Sequence, residues 1–466
     1  MRVLMPFHLR DYVNRCLRSA ILMAILGNGI RFGANLLLLP LVLTKLSSTE
    51  YAMWVVFIAL GNFANLADFG FGAALPRVYS YLLAGAEDFD TEGMPASKSD
   101  GKPNFEGIRQ LNATVRSLYL KLSLGAMFLL AFVGTAFLIK SAEKIGVPQK
   151  MWWLWMVFLV AIAYNLATSY WMLACQGLNL VRNMEIAAIF SGLGYVCCAT
   201  LLLYMGAGLL SMIVATFLKG FIMREKCRRA CRLVIPLSEQ EVAPNPDIIK
   251  KLWPNAYKFG ILSIGSYLVI NGPVLICCWC LGEKTTASFG LTSQVVNFMM
   301  SFAFLWLTVK WPEIAILRMK GRLEEMAALF AKRLSLVMAT FVALALVVFF
   351  AGNVILEWKG THTRLLPRPY LAFYLIYITQ QIFYVQFGAL TFTENVMPLF
   401  KVSLFTGLAV IMCGVIFTPL FGLWGLVVTP FVVEMSYCSW FTVRRGFQGQ
   451  PLSLRRFCRA LFWRGL

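Results

Sequence analysis

Long apolar runs alternate with short polar breaks along this chain. Residues 21–43 hold one charge, Arg31, and residues 122–139, 152–173 and 186–205 hold none. Each run approaches the ~20 helical residues that cross ~30 Å of hydrocarbon. Strands of a membrane barrel would alternate in polarity over about 10 residues, and these runs do not. The pattern predicts an all-α, polytopic membrane protein with about twelve transmembrane helices. The predicted spans are 19–43, 51–76, 117–140, 151–175, 185–205, 207–223, 257–281, 288–311, 333–356, 369–392, 400–420 and 422–443.

Composition strengthens that expectation. Of 466 residues, 59% are hydrophobic and 14% charged, where a soluble protein carries about 25% charged residues. So few charges cannot clothe a water-facing surface. Charge also orients the chain. With the N-terminus inside, twelve spans place 33 Lys and Arg on the cytoplasmic side and 8 on the other, with Arg31 between them. This positive-inside bias predicts cytoplasmic N- and C-termini. It also accounts for the net charge of +20, together with attraction to anionic membrane lipids, so no nucleic-acid partner is implied. The first 18 residues are basic, and the run after them is too long for a cleaved signal, so the first helix is expected to be permanent. Eight of the twelve cysteines lie in apolar runs, and Cys16, Cys227, Cys231 and Cys458 flank basic stretches. They read as packing residues or cytoplasmic thiols rather than as a disulfide framework.

The chain divides into expected lobes of six spans, residues 1–223 and 257–443, joined by a basic linker, 224–256, and followed by a basic tail, 444–466. Span 2 ends at Pro76-Arg77 and span 8 at Pro312-Glu313, 236 residues apart. Two halves with the same orientation suit a transporter built from a parallel repeat. The polar segment 84–116 reads as a tolerated loop insertion.

Polar residues inside spans are costly without a partner or a wet cavity. Asn28, Arg31 and Asn35 share one face of span 1. Asn62, Asn65 and Asp68 share one face of span 2, and Gln294 and Asn297 lie on one face of span 8, with Asn271 on span 7. These equivalent helices would line a central substrate cavity, or their amides would glue packed helices together. Arg77, Lys258 and Lys310, at cytoplasmic span ends, would either snorkel or make that cavity electropositive. The excess of cations suits an anionic substrate carrying phosphate or pyrophosphate. Asp68 and Glu434 are the carboxylates placed within spans, and are the candidates for coupling to H+ or Na+. Span 10 carries a stripe of Tyr370, Tyr374, Tyr377, Gln381 and Tyr384 that reads as packing or as a surface for sugars. Both histidines, His8 and His362, lie outside the spans, and no catalytic motif or metal spacing occurs. The expectation is no cofactor and no enzyme, although a membrane glycan polymerase or acyltransferase is a different-class alternative.

Four stretches carry a resemblance. Leu46-Ser-Ser-Thr-Glu50-Tyr51-Ala-Met-Trp54 resembles the loop entering the second span in polysaccharide transporters of the Wzx type, lipid-linked oligosaccharide flippases of the multidrug/oligosaccharidyl-lipid/polysaccharide exporter superfamily. Asp68-Phe-Gly70-Phe-Gly72-Ala-Ala-Leu-Pro76-Arg77 is similar to the end of that span, and Gln176-Gly177, after span 4, to the family's Q-G turn. Leu281-Gly282, Phe289-Gly290-Leu291 and Gly321-Arg-Leu-Glu324 resemble the second half. Ser47 and Ala52 stand where the family has glycine. The resemblance implies a V-shaped bundle of two lobes in a bacterial inner membrane. It implies flipping of an undecaprenyl-pyrophosphate-linked oligosaccharide for O-antigen, capsule or exopolysaccharide, with other polysaccharide assembly proteins as partners. A multidrug or cation exporter of the same superfamily is the nearest alternative.

Overall fold

The computed structural model describes residues 38–86, 102–145, 150–235, 243–392 and 399–448, and every regular element among them is helical. After helical residues 38–45 come α1 (Ser48–Ala64), a 3-10 turn (Asn65–Asp68), α2 (Phe71–Leu83) and α3 (Phe105–Leu129). A π-turn (Leu130–Gly134) joins α3 to α4 (Thr135–Ile145). Then follow α5 (Lys150–Thr168), α6 (Tyr170–Gly177), α7 (Val181–Tyr204), α8 (Leu209–Val234), α9 (Pro246–Leu281) and α10 (Glu283–Thr308). The remainder is α11 (Trp311–Met319), α12 (Leu323–Trp358), α13 (Arg368–Phe392), α14 (Phe400–Phe421) and α15 (Leu423–Val433), with a second π-turn (Glu434–Cys438) leading into α16 (Ser439–Gln448).

Nine helical segments among the described residues are long and apolar enough to cross a membrane. They correspond to predicted spans 2–5, 7–9, 11 and 12. Spans 6 and 10 correspond to α8 and α13, helices of 26 and 25 residues whose basic run and Tyr/Gln content dilute their hydropathy. Most of span 1 lies outside the described residues. Within the most hydrophobic window of α12, 22% of the residues are buried in protein, so its apolar face is left for lipid. Phe350 is 67% exposed and Trp440 68%, which water would not tolerate and acyl chains favour.

Two compact units emerge. One comprises residues 63–137 and 148–260 with the segment before 46; the other comprises 46–62, 138–147 and 261–466. In the first, α7 packs along α8, α3 along α5, and α6 against α2 and α8. In the second, α10 packs on α12, α14 on α15, and α13 on α16. Two local features differ from expectation. The basic stretch 224–256, expected as a linker, is helical at both ends: α8 runs on to Val234 and α9 starts at Pro246. On that extension Cys227 and Cys231 are fully buried, with the Cys231 sulfur 3.3 Å from that of Cys175. Span 2 is broken rather than continuous. Phe69 and Gly70 take φ of 45° and 79°, which ends the 3-10 turn and restarts the chain as α2. Gly70 is required there, because a Cβ would sit 2.4 Å from the Ala256 carbonyl.

The start of α1 shows what Ser47 does. The Ser47 hydroxyl accepts from the Glu50 amide at 3.2 Å, and the Glu50 carboxylate accepts from the Ser47 amide at 3.2 Å. In this reciprocal capping box the serine hydroxyl satisfies the Glu50 amide, which a glycine would leave to water.

Candidate functional site

The break in span 2 builds a polar nest in the first unit. Asp68 ends the 3-10 turn, and its Oδ2 accepts from the Gly72 amide at 2.8 Å, capping the exposed first turn of α2. Gly72 permits that approach, since a Cβ would lie 2.7 Å from Oδ2. The other oxygen, Oδ1, accepts a hydrogen bond from the Tyr119 hydroxyl on α3. Tyr119 is buried and packs against Tyr170, with ring centroids 6.4 Å apart. Asp68 is therefore held by two uncharged donors.

The second unit has a counterpart around Glu434. This carboxylate is fully buried on the π-turn between α15 and α16. A π-turn widens the helix by one residue and re-aims the side chain that opens it. Glu434 Oε1 accepts from the Tyr377 hydroxyl at 3.2 Å and from Gln381 Nε2 at 3.1 Å, both on α13. Tyr384 adds its hydroxyl to the surroundings, while Oε2 makes no hydrogen bond of regular geometry. Gln381 and Tyr384 also line a cavity of about 350 Å³ together with Ser266, Thr406, Cys438 and Thr442. The carboxylate thus sits one side chain behind a space large enough for several waters. No cation pairs with Asp68 or Glu434 among the described residues.

Other predicted site residues fall in different settings. Asn62 Nδ2 donates to Asn271 Oδ1 at 3.1 Å, and Gln294 Oε1 accepts from the Tyr51 hydroxyl at 2.7 Å. With Thr49 donating to Glu283 at 2.7 Å and Tyr267 to the Ala59 carbonyl at 2.9 Å, they form a polar seam along α1, α9 and α10. Asn297 is exposed on α10. Lys310 pairs with Glu313 at 2.6 Å. Arg77 is exposed on α2, Lys258 half-buried on α9, and Asn65 opens the 3-10 turn. Asn28, Arg31 and Asn35 lie outside the described residues.

The donors to the two carboxylates were partly hidden in the sequence. Tyr377 and Gln381 stand four residues apart in the span-10 stripe, a spacing that puts both on one helix face, but nothing local links that face to Glu434. Tyr119 stands alone on α3 and gave no signal.

No protein-family model matches this chain, and no curated protein matches it in sequence. Its fold, in contrast, is shared. An inward-facing multidrug resistance MATE family transporter of the MOP superfamily aligns with a TM-score of 0.63 at 11% identity, over 93% of this chain and 94% of that one. The lipid II flippase MurJ in an inward closed conformation aligns with a TM-score of 0.63 at 12% identity, over 94% and 89%. A MOP superfamily transporter from Pyrococcus furiosus gives 0.59 at 13%, over 96% and 98%. At these identities the likeness establishes the fold alone: a multi-pass, all-helical membrane protein with the architecture of these transporters.

Proposed function

We propose that this chain, with its MOP architecture, is an alternating-access transporter of the bacterial inner membrane that flips an undecaprenyl-pyrophosphate-linked oligosaccharide to the outer leaflet for surface polysaccharide assembly, driven by H+ or Na+. The observation that carries the transport reading is the pair of carboxylates, Asp68 and Glu434, held by neutral donors. A structural carboxylate in an apolar bundle is usually neutralised by a fixed cation. Hydroxyl and amide donors instead leave room for a mobile one. Binding of H+ or Na+ at Glu434 weakens its grip on Tyr377 and Gln381, and release restores it. That exchange supplies the differential affinity for two conformations that coupled transport requires.

The substrate reading is supported by the sequence resemblance in spans 1–8, by the cation excess, and by the fold shared with a protein described as a lipid II flippase. Deletion of the gene should leave lipid-linked oligosaccharide on the inner leaflet and strip surface polysaccharide from the cell. Normal surface polysaccharide in the deletion strain overturns the substrate assignment. The multidrug exporter is the second reading, and what favours it is the same pair of carboxylates, which pair with no cation among the described residues and suit a cationic drug. Loss of drug resistance on deletion, with polysaccharide intact, decides for it.

A further inference from the structure

Helix α8 changes character along its length. Residues 209–223 carry one charge, Lys219, whereas residues 224–232 carry Arg224, Lys226, Arg228, Arg229 and Arg232 against a single carboxylate, Glu225. Such a step marks the boundary between hydrocarbon and water, the level at which lipid phosphates lie. Glu225 is already committed: Arg228 lies 3.5 Å and Arg229 3.1 Å from it. The Arg229 hydrogen bond holds the Glu225 carboxyl below its ordinary value, so it stays ionised at neutral pH.

Arg224 is placed differently. Its Nη1 donates to the Tyr164 hydroxyl at 2.9 Å, while its Nε is buried and makes no hydrogen bond. Among the described residues no carboxylate pairs with Arg224 or with Arg116. The buried Tyr170 on α6 brings these groups together, because α6 packs on both α3 and α8. Its hydroxyl lies in the combined field of Arg116 from α3 and of Arg224 and Arg228 from α8. Arg224 and Arg228 stand one turn apart on α8 and repel each other, and a buried guanidinium N–H without an acceptor is costly. An anion between them offsets both.

We propose that Arg116, Arg224 and Arg228, with the hydroxyls of Tyr164 and Tyr170, form a binding site for the phosphate of a membrane lipid. The guanidinium fork matches two phosphate oxygens at once. Tyr164 accepts from Arg224, so its own proton is left to donate. The setting favours a lipid over a soluble anion: apolar Phe221 and Phe217, 43% and 39% exposed, lie about one and two turns before Arg224 on α8 and suit acyl chains. The site shares no residue that hydrogen-bonds Asp68 or Glu434, although Tyr170 also packs against Tyr119, and it holds whichever substrate is transported. Two lipids supply the same chemistry: an anionic phospholipid, through its phosphodiester, or a polyprenyl carrier, through its pyrophosphate.

Native mass spectrometry of the purified full-length protein tests this with three probes: dioleoyl phosphatidylglycerol, undecaprenyl pyrophosphate and phosphate-free dioleoylglycerol. One or both phosphate lipids should be retained about 10-fold more than dioleoylglycerol. Retention of phosphatidylglycerol identifies a bulk lipid, and preference for undecaprenyl pyrophosphate identifies the carrier. Arg116→Gln with Arg224→Gln should cut that retention about 10-fold or more. Arg116→Gln alone, at an exposed position that tolerates change in folding, should give part of the loss. Arg322→Gln, which removes an exposed pair with Glu325 at 2.7 Å, should leave it unchanged. Equal retention of dioleoylglycerol, or undiminished binding by both Arg116 variants, overturns the proposal.

Discussion

Replacing Glu434 separates its two duties, as an acceptor in the fold and as a carrier of charge. Glu434→Ala strands two donors, Tyr377 and Gln381, which reach Oε1 at 3.2 and 3.1 Å. A hydrogen bond between membrane helices is worth ~0.6 kcal/mol on average and up to ~1.7 kcal/mol, so losing both costs about 1–3 kcal/mol. Glu434→Gln keeps an oxygen in place for those donors and removes a charge whose other oxygen has no regular hydrogen bond. It should therefore lie within about 1 kcal/mol of wild type. Unfolding in mixed detergent micelles measures both variants. Transport should rank them differently. In proteoliposomes loaded with labelled lipid-linked oligosaccharide, Glu434→Gln should lose gradient-driven flipping about 100-fold or more despite its stability, because an amide cannot take up H+ or Na+ and lose it again. Wild-type flipping by Glu434→Gln, with an unchanged response to the ion gradient, refutes the coupling role. Equal stability of the Ala and Gln variants refutes the hydrogen-bonded nest.

Four further outcomes are expected. Tyr119→Phe removes a donor to Asp68 and should cost about 1 kcal/mol in the same unfolding assay, while lowering coupled flipping if Asp68 shares the ion cycle with Glu434. Gly70→Ala must hold φ of 79° and place a Cβ 2.4 Å from the Ala256 carbonyl; it should lose about 2–4 kcal/mol and express poorly. A double-mutant cycle of Asn62→Ala and Asn271→Ala should return a coupling of about 0.6 kcal/mol for their 3.1 Å bond, and a coupling near zero rejects the polar seam. Arg31→Ala should abolish export in the deletion strain and Arg31→Lys should retain a fraction, since charge matters most and the bidentate fork adds to it; full export by the Ala variant at normal expression removes Arg31 from the substrate path.

The apolar runs determined most of the architecture. Crossing hydrocarbon forces the backbone to satisfy itself within one helix, so length and composition suffice to find a span. Runs such as 152–173 and 186–205 therefore appear as α5–α6 and α7 within a few residues at each end. The capping box at Ser47–Glu50 was not read from the sequence, where the predicted span begins at residue 51. Asp68 and Glu434 were also visible, because a carboxylate in an apolar run stands out by itself. What surrounds each carboxylate was decided only in three dimensions. Tyr119 lies 51 residues beyond Asp68, and Tyr377 57 residues before Glu434. Asn62 meets Asn271 across 209 residues, so an amide read either as facing a cavity or as gluing helices together is found bonded to another amide. The break at Phe69-Gly70 depends on the close approach of α9 at Ala256, and the bond from Arg224 to Tyr164 depends on α8 packing along α5. Local polarity tells a residue that it needs a partner, and only the packing of helices distant in sequence says which partner it finds.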